Sequence, residues 1–377
     1  MSQFVAFTII GLVIGAAYAV AASGLVLTYA TSNVFNMAHG ATGMFLAFVF
    51  WELHVVRGLP TWLTLLLVLG LIGPLFGVVI ERLMMRRLTD APVAVALVVT
   101  VALLVALIGV AQVLWPPRGR PFEEFFAGSG VQVGDVFVTA HQMITFVVAV
   151  AVAGGLYLLL TRSRTGIAMR ALVDNRELLA LYGAPAARFG ALSWALGSSL
   201  AALAGILLAP QVGLGYLELT LLVVNAYAAA MVGRLTNLAR TFVGALVLGL
   251  LQSYALLCVQ FLPEGFDAGG LVQGTRVALP TIFLFVVMLL LPQERLRVGR
   301  LSGISLPPLP SWRRSALCGG LFVLAVYVIT GALSEADTSR FGQALCLSMV
   351  ILSLVVLTGY GGDVSLCQMS FVGVGGL

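Results

Sequence analysis

Residues 1–40 read MSQFVAFTIIGLVIGAAYAVAASGLVLTYATSNVFNMAHG, and two features of this stretch decide the fold. From Phe4 to Thr28 the chain is apolar and uncharged. At about 1.5 Å rise per residue, a helix over this run is long enough to cross the roughly 30 Å hydrocarbon layer of a bilayer. From Thr28 to Gly40 the chain turns polar while acquiring no charge except at His39. Backbone at membrane depth leaves helical geometry only where protein or a wet cavity covers it, so TYATSNVFNMAHG marks a broken helix inside a bundle. The N-terminus lacks the basic region of a cleaved signal, which makes the first run a retained helix.

Similar runs recur along the 377 residues, of which 60% are hydrophobic and only 9% charged. The mean hydropathy is +1.08. A soluble domain carries about a quarter of its residues as charges, so lipid is the solvent here. The pattern predicts helices over 4–28, 40–56, 61–80, 92–114, 140–160, 190–209, 218–233, 241–262, 275–291, 315–333 and 341–358. The fold class is therefore all-α, a polytopic transmembrane bundle of roughly ten helices.

The twenty basic residues are all arginines, lying in short loops without interleaved aromatics, so they report topology and not nucleic-acid binding. If each run crosses the membrane, fifteen arginines collect on one face, leaving Arg57, Arg118, Arg120, Arg276 and Arg340 on or near the other. The positive-inside rule makes the richer face cytoplasmic. Trp115 to Thr139 then lies outside, with prolines and glycines that suit an ordered loop. Inside, Thr161 to Gly190 should hold a short amphipathic helix, capped by Asp174 or Asn175 and ended by Gly183 and Pro185.

No catalytic constellation is present. The chain has no lysine and no P-loop pattern, and its serines lack a histidine and an acid in any recognisable order. His39, His54 and His141 sit on different segments without partners at ligand spacing, so no metal and no cofactor is expected. Cys258, Cys318, Cys346 and Cys367 lie singly in largely apolar stretches and read as packing residues. The carboxylates inside the predicted spans, Glu52 and Glu218, fall near span ends, which argues against a proton-coupled carrier.

The segment SRTGIAMRALVDNRELLALYGAPAARFGALSWALGSSLAALAGILLAP resembles the coupling-loop region of permease subunits of branched-chain amino acid ABC importers. Gly166, Ala168, Arg170, Ala171, Asn175, Arg176, Glu177, Leu181, Gly183, Ala204, Gly205 and Leu207 match that pattern. VFNMAHGATGMF resembles the same family's Asn-Phe-Ala-His-Gly motif through Asn36, Ala38, His39 and Gly40, with Met37 in place of phenylalanine. Where the family's turn is glycine-rich, this chain keeps Gly233 but places Arg234 and Thr236.

The resemblance implies a permease that moves leucine, isoleucine or valine across the cytoplasmic membrane. It implies as partners a second permease subunit or domain, two ATP-binding subunits and an extracytoplasmic substrate-binding protein, with ATP hydrolysis on the partners. Asn33, Asn36, His39 and Asn225 are the expected substrate-path residues. Gly166, Arg170, Asp174, Asn175, Arg176, Glu177 and Gly183 are the expected ATPase-coupling residues. The alternatives are a urea or short-amide permease of the same class, an ion-coupled secondary carrier, and a membrane scaffold. Residues 1–295 read as a first permease domain and 296–314, rich in proline and arginine, as a cytoplasmic linker. Residues 315–377 read as the opening portion of a second permease domain, because TGYGGDVSLCQMSFVGVGGL resembles the first broken-helix region of the family's second subunit.

Overall fold

The uncharged run at the start of the chain becomes helix α1 (Ser2–Ser32). Its 31 residues extend about 46 Å, more than the hydrocarbon thickness. This computed structural model describes residues 2–32, 34–88, 93–116, 120, 122–133, 136–174, 179, 181, 185–259, 268–290 and 311–354. They fall into two compact units, Met1–Gln293 and Glu294–Leu377.

After α1, residues 34–38 are non-helical and α2 (His39–Trp51) continues into a wider π turn at Glu52–Val56. α3 (Thr61–Leu67) passes through a second π turn, Val68–Ile72, into α4 (Gly73–Leu83). That turn lies just before Pro74, which has no N–H to donate, and the widened ladder absorbs the missing bond. α5 (Val93–Leu114) leads to the segment expected as an ordered loop, which also holds an antiparallel hairpin of β1 (Gly130–Val133) and β2 (Val136–Thr139). Thr139 and Gln142 then form a reciprocal capping box that starts α6 (Ala140–Arg162). α7 (Arg164–Asp174), α8 (Ala186–Val212), α9 (Tyr216–Thr220), α10 (Leu222–Val232), α11 (Leu238–Val259) and α12 (Ala268–Leu290) complete the first unit. The described part of the second unit contains α13 (Trp312–Ala332) and α14 (Glu335–Leu354). Among the described residues, eight helical spans are long and apolar enough to cross a membrane. The all-α polytopic bundle expected from the sequence is the fold observed.

The core is built around α1, which packs along α11 on one side and α8 on another, while α8 also packs against α2 and α4. Lipid offers no hydrophobic drive for helices to associate, so close van der Waals contact through small residues has to hold them. A methyl group added at Gly249 on α11 would lie 2.5 Å from Gly15 Cα on α1, and one at Gly205 on α8 would lie 2.6 Å from Gly43 O on α2. Trp194 of α8 fills the adjoining space and is 1% exposed, packed with Val34, Ile80, Met85 and Ala96.

Four details differ from the sequence reading. The third predicted span runs past residue 80, so a third intramembrane carboxylate, Glu81, lies buried on α4. Arg86 neutralises it through Nη2 at 3.0 Å and Nε at 3.3 Å. The seventh span is two short helices, α9 and α10, meeting at Leu221. Cys258, Cys318 and Cys346 are free thiols at exposed helix positions and do not pack inside. Trp312 to Arg314 of the expected linker are helical, while residues 291–310, Cys367 and the tail from 355 lie outside the described residues.

Replacing Gly249 by leucine forces α1 and α11 apart, at an overpacking cost of about 1–3 kcal/mol. Gly249→Leu is expected to lower the thermal unfolding midpoint in detergent. Gly154→Leu on α6, where a side chain meets open space, leaves it unchanged.

Candidate functional site

The break between α1 and α2 is buried, and its freed backbone groups find partners. The Thr100 hydroxyl of α5 donates to Phe35 O at 3.1 Å, and the His39 N–H donates to Asn36 O at 3.2 Å. Thr42 donates to Ala38 O from its backbone at 2.8 Å and from its side chain at 2.9 Å. The His39 ring is buried with Nε2 2.9 Å from Ala21 O of α1. A carbonyl only accepts, so Nε2 carries the proton and Nδ1 is left as an acceptor.

Asn36 is also buried, and its Oδ1 has no hydrogen-bond partner among the described residues. Phe35 brings two phenols near the break, with ring centroids 4.9 Å from Tyr29 and 6.0 Å from Tyr227. The Tyr227 hydroxyl and Thr220 Oγ1 are likewise buried without a partner among the described residues. Beside His39, a cavity of about 10 Å³ lies between Ala21, Gly43, Ala201 and Leu222. It has room for about one water. Nothing the size of an amino acid fits in this cavity.

Asn225, on α10, accepts from Gln252 Nε2 of α11 at 3.2 Å, and Gln252 Oε1 accepts from the Tyr18 hydroxyl of α1 at 2.8 Å. Sequence reasoning reached Asn225 and missed Gln252, Tyr18 and Tyr227. A polar residue in each of three apolar runs was the available signal. Asn36, His39 and Asn225 are all placed in the buried interior of the first unit. Asn33 lies outside the described residues.

At the other end of the candidate machinery, α6 and α7 are separated by one non-helical residue, Ser163. Its hydroxyl accepts from Gly166 N at 2.9 Å and so starts α7. A side chain at Gly166 would lie 2.5 Å from Leu160 Cα, which keeps this elbow tight. Met169 packs inward on Leu27 and Leu156, while Arg170 and Ile167 are exposed. Asp174, expected with Asn175 as a possible cap of the amphipathic helix, is the last residue of α7. Asn175, Arg176, Glu177 and Gly183 lie outside the described residues. At the turn after α10, Arg234 and Leu235 have φ values of 52° and 56°. L-residues pay about 1–2 kcal/mol each for that left-handed backbone, which is why a glycine-rich sequence suits this turn.

Residues 7–292 match the family described as branched-chain amino acid transport system / permease component. The chain belongs to this permease family. It is a multi-pass protein of the cell membrane. The probable branched-chain amino acid transport permease protein LivH of Methanocaldococcus jannaschii is 30% identical to this permease, over 72% of this chain and 85% of the relative. The high-affinity branched-chain amino acid transport system permease protein BraD of Pseudomonas aeruginosa is 27% identical, over 65% and 83%. LivH of Escherichia coli is 25% identical, over 64% and 83%. Among solved structures, PsaBC from Streptococcus pneumoniae in complex with Fab aligns with a TM-score of 0.43 at 16% identity, covering 76% of this chain and 92% of that chain.

Gln252 sits between two polar partners in the permease interior, so removing it takes the amide donor from Asn225. Gln252→Leu is expected to cost about 1–3 kcal/mol, the penalty for stranding a buried polar group. Adding Asn225→Leu should recover part of that loss, which thermal unfolding of the three variants in detergent will measure.

Proposed function

We propose that this permease carries leucine, isoleucine and valine across the cytoplasmic membrane as one half of an ABC importer. Its partners are a second permease subunit or domain, two ATP-binding subunits and an extracytoplasmic substrate-binding protein. The observation that carries the reading is the family match over residues 7–292. The names of the relatives support the substrate class.

A branched-chain amino acid is a zwitterion with an apolar side chain, so its path needs apolar walls and a few neutral hydrogen-bonding groups. We assign that path to Asn33, Asn36, His39 and Asn225. A buried acceptor without a partner costs about 1–3 kcal/mol, and Asn36 Oδ1 bears this cost in the closed bundle. An ammonium group arriving at the break would satisfy it, which gives the open, loaded state a differential affinity of the kind a two-state carrier requires.

Coupling to ATP is assigned to Gly166, Arg170, Asp174, Asn175, Arg176, Glu177 and Gly183. Arg170 and Ile167 of α7, together with Leu181, are exposed and so available to a soluble partner. The arginine asymmetry places this surface in the cytoplasm and the β1–β2 hairpin outside. Residues 1–295 are assigned as the first permease domain, 296–314 as the linker and 315–377 as the opening portion of a second. The end of the family match at residue 292 and the unit boundary after Gln293 support that division.

Cysteines introduced at Arg164 and Ser129 should react with an impermeant maleimide from opposite sides of oriented vesicles. In proteoliposomes holding the whole assembly, labelled leucine is expected to accumulate with ATP and labelled urea is not. Arg170→Glu should cut that uptake severalfold without changing the permease's thermal midpoint. Full uptake by this variant would remove Arg170 from the coupling surface.

A further inference from the structure

At the end of the bundle that carries the hairpin, a cavity of about 470 Å³ lies under the Phe122–Ala127 segment. Its walls include Phe50, His54, Phe122, Glu123, Glu124 and Phe125. Resting on the amino-acid reading above, we propose that this cavity is a receiving site that holds a small apolar molecule by its ammonium group before it enters the bundle.

The size suits a small ligand, since such sites span about 300–1,000 Å³. The apolar wall is fixed. Phe50 is 1% exposed, and its ring lies 5.9 Å from Phe122 and 6.2 Å, edge-on, from Phe125. Phe125 is held in turn by the His141 ring, 5.3 Å away.

The polar lining is uniformly electronegative. His54 Nδ1 lies 2.8 Å from Leu59 O and therefore donates to it, leaving Nε2 as an acceptor, with the Thr61 hydroxyl at 3.4 Å. Among the described residues no cation pairs with Glu123 or Glu124, and Arg57 and Arg120 are engaged elsewhere. Arg57 pairs with Glu52 at 3.5 Å. Arg120 lies over the rings of Phe48 and Trp51, at 5.6 and 5.1 Å, and donates to Pro116 O at 2.8 Å.

Two carboxylates, an accepting imidazole nitrogen and several aromatic faces all favour a positive charge, and the aromatic faces favour one attached to an apolar body. A metal ion is the wrong cation. Among the described residues no three His, Cys, Asp or Glu side chains come together as a metal set. No described lining residue is an arginine or lysine, so a zwitterion's carboxylate stays in water. The site selects for ammonium and side chain together.

The test uses the purified permease in nanodiscs and three probes of one carbon skeleton: leucine, 3-methylbutylamine and 4-methylpentanoate. By saturation-transfer NMR, leucine and the amine are expected to bind and the acid is not. The double variant E123Q/E124Q keeps side-chain size and lies on an outer segment, so its thermal midpoint should hold. Its affinity for the amine should fall by about tenfold, as expected when charge-assisted contacts are lost. In the complete assembly the same variant should raise KM for leucine with little change in the maximal rate. Equal binding of amine and acid, or wild-type amine affinity in the double variant, overturns the proposal. So does loss of binding-protein affinity with no amine binding, which would make the cavity a pocket for a basic side chain of that partner. A wild-type assembly that takes up no leucine defeats the amino-acid reading instead, while the amine series still reports on the cavity.

Discussion

Helices in lipid gain nothing from hiding apolar surface from one another, and this bundle is held by how closely their backbones approach. Gly15 and Gly249 bring α1 and α11 together, and Gly43 and Gly205 do the same for α2 and α8. The polar interior follows from that closeness. Tyr18, Gln252 and Asn225 span three helices with hydrogen bonds of 2.8 and 3.2 Å, which only tightly set backbones allow. The same closeness leaves beside His39 a space for about one water, too small for an amino acid.

The broken helix is the other half of the design. Its backbone groups would be costly in hydrocarbon, and α5 and the residues around the break supply partners for them: Thr100 for Phe35 O, Thr42 for Ala38 O. Near the break, the side-chain atoms left without a partner among the described residues are at Asn36, Thr220 and Tyr227. Native interiors leave few such atoms unsatisfied, and those that persist usually have a use. Here they lie around two discontinuities of the bundle: the gap between α1 and α2, and the junction of α9 and α10 at Leu221.

Much of this was legible in the sequence, for physical reasons that also explain the gaps. A twenty-residue apolar run has one stable solution in a membrane, so the spans and the all-α class follow directly, and the uncharged polarity of Thr28 to Gly40 exposes the break. Asn225 stands out in its run because amides are rare there. Its partners do not, since the bond from Tyr18 to Gln252 joins residues 234 positions apart and nothing local announces it. Glu81 escaped because span ends are the least certain part of a hydropathy reading, and burial turned on Arg86 five residues later. Most of the expected amphipathic helix, whose apolar periodicity rests on Leu178, Leu181 and Tyr182, lies outside the described residues, and the helix before it escaped because its start at Ser163 is a matter of backbone geometry. The hairpin strands are too short for alternation to register.

The single residue between α6 and α7 has a mechanical meaning. Two rods joined by one stiff, capped elbow behave as a crank, and α7 provides an arm of about 16 Å from its 11 residues. A swing of about ten degrees moves the far end of such an arm by roughly 3 Å, and the backbone of Gly166 sits directly against Leu159 and Leu160 of α6 at the joint. Met169 is the bearing, seated on Leu27 of α1. On the coupling role proposed for α7, force applied at its tip is delivered to Leu27, a few residues before the break in α1.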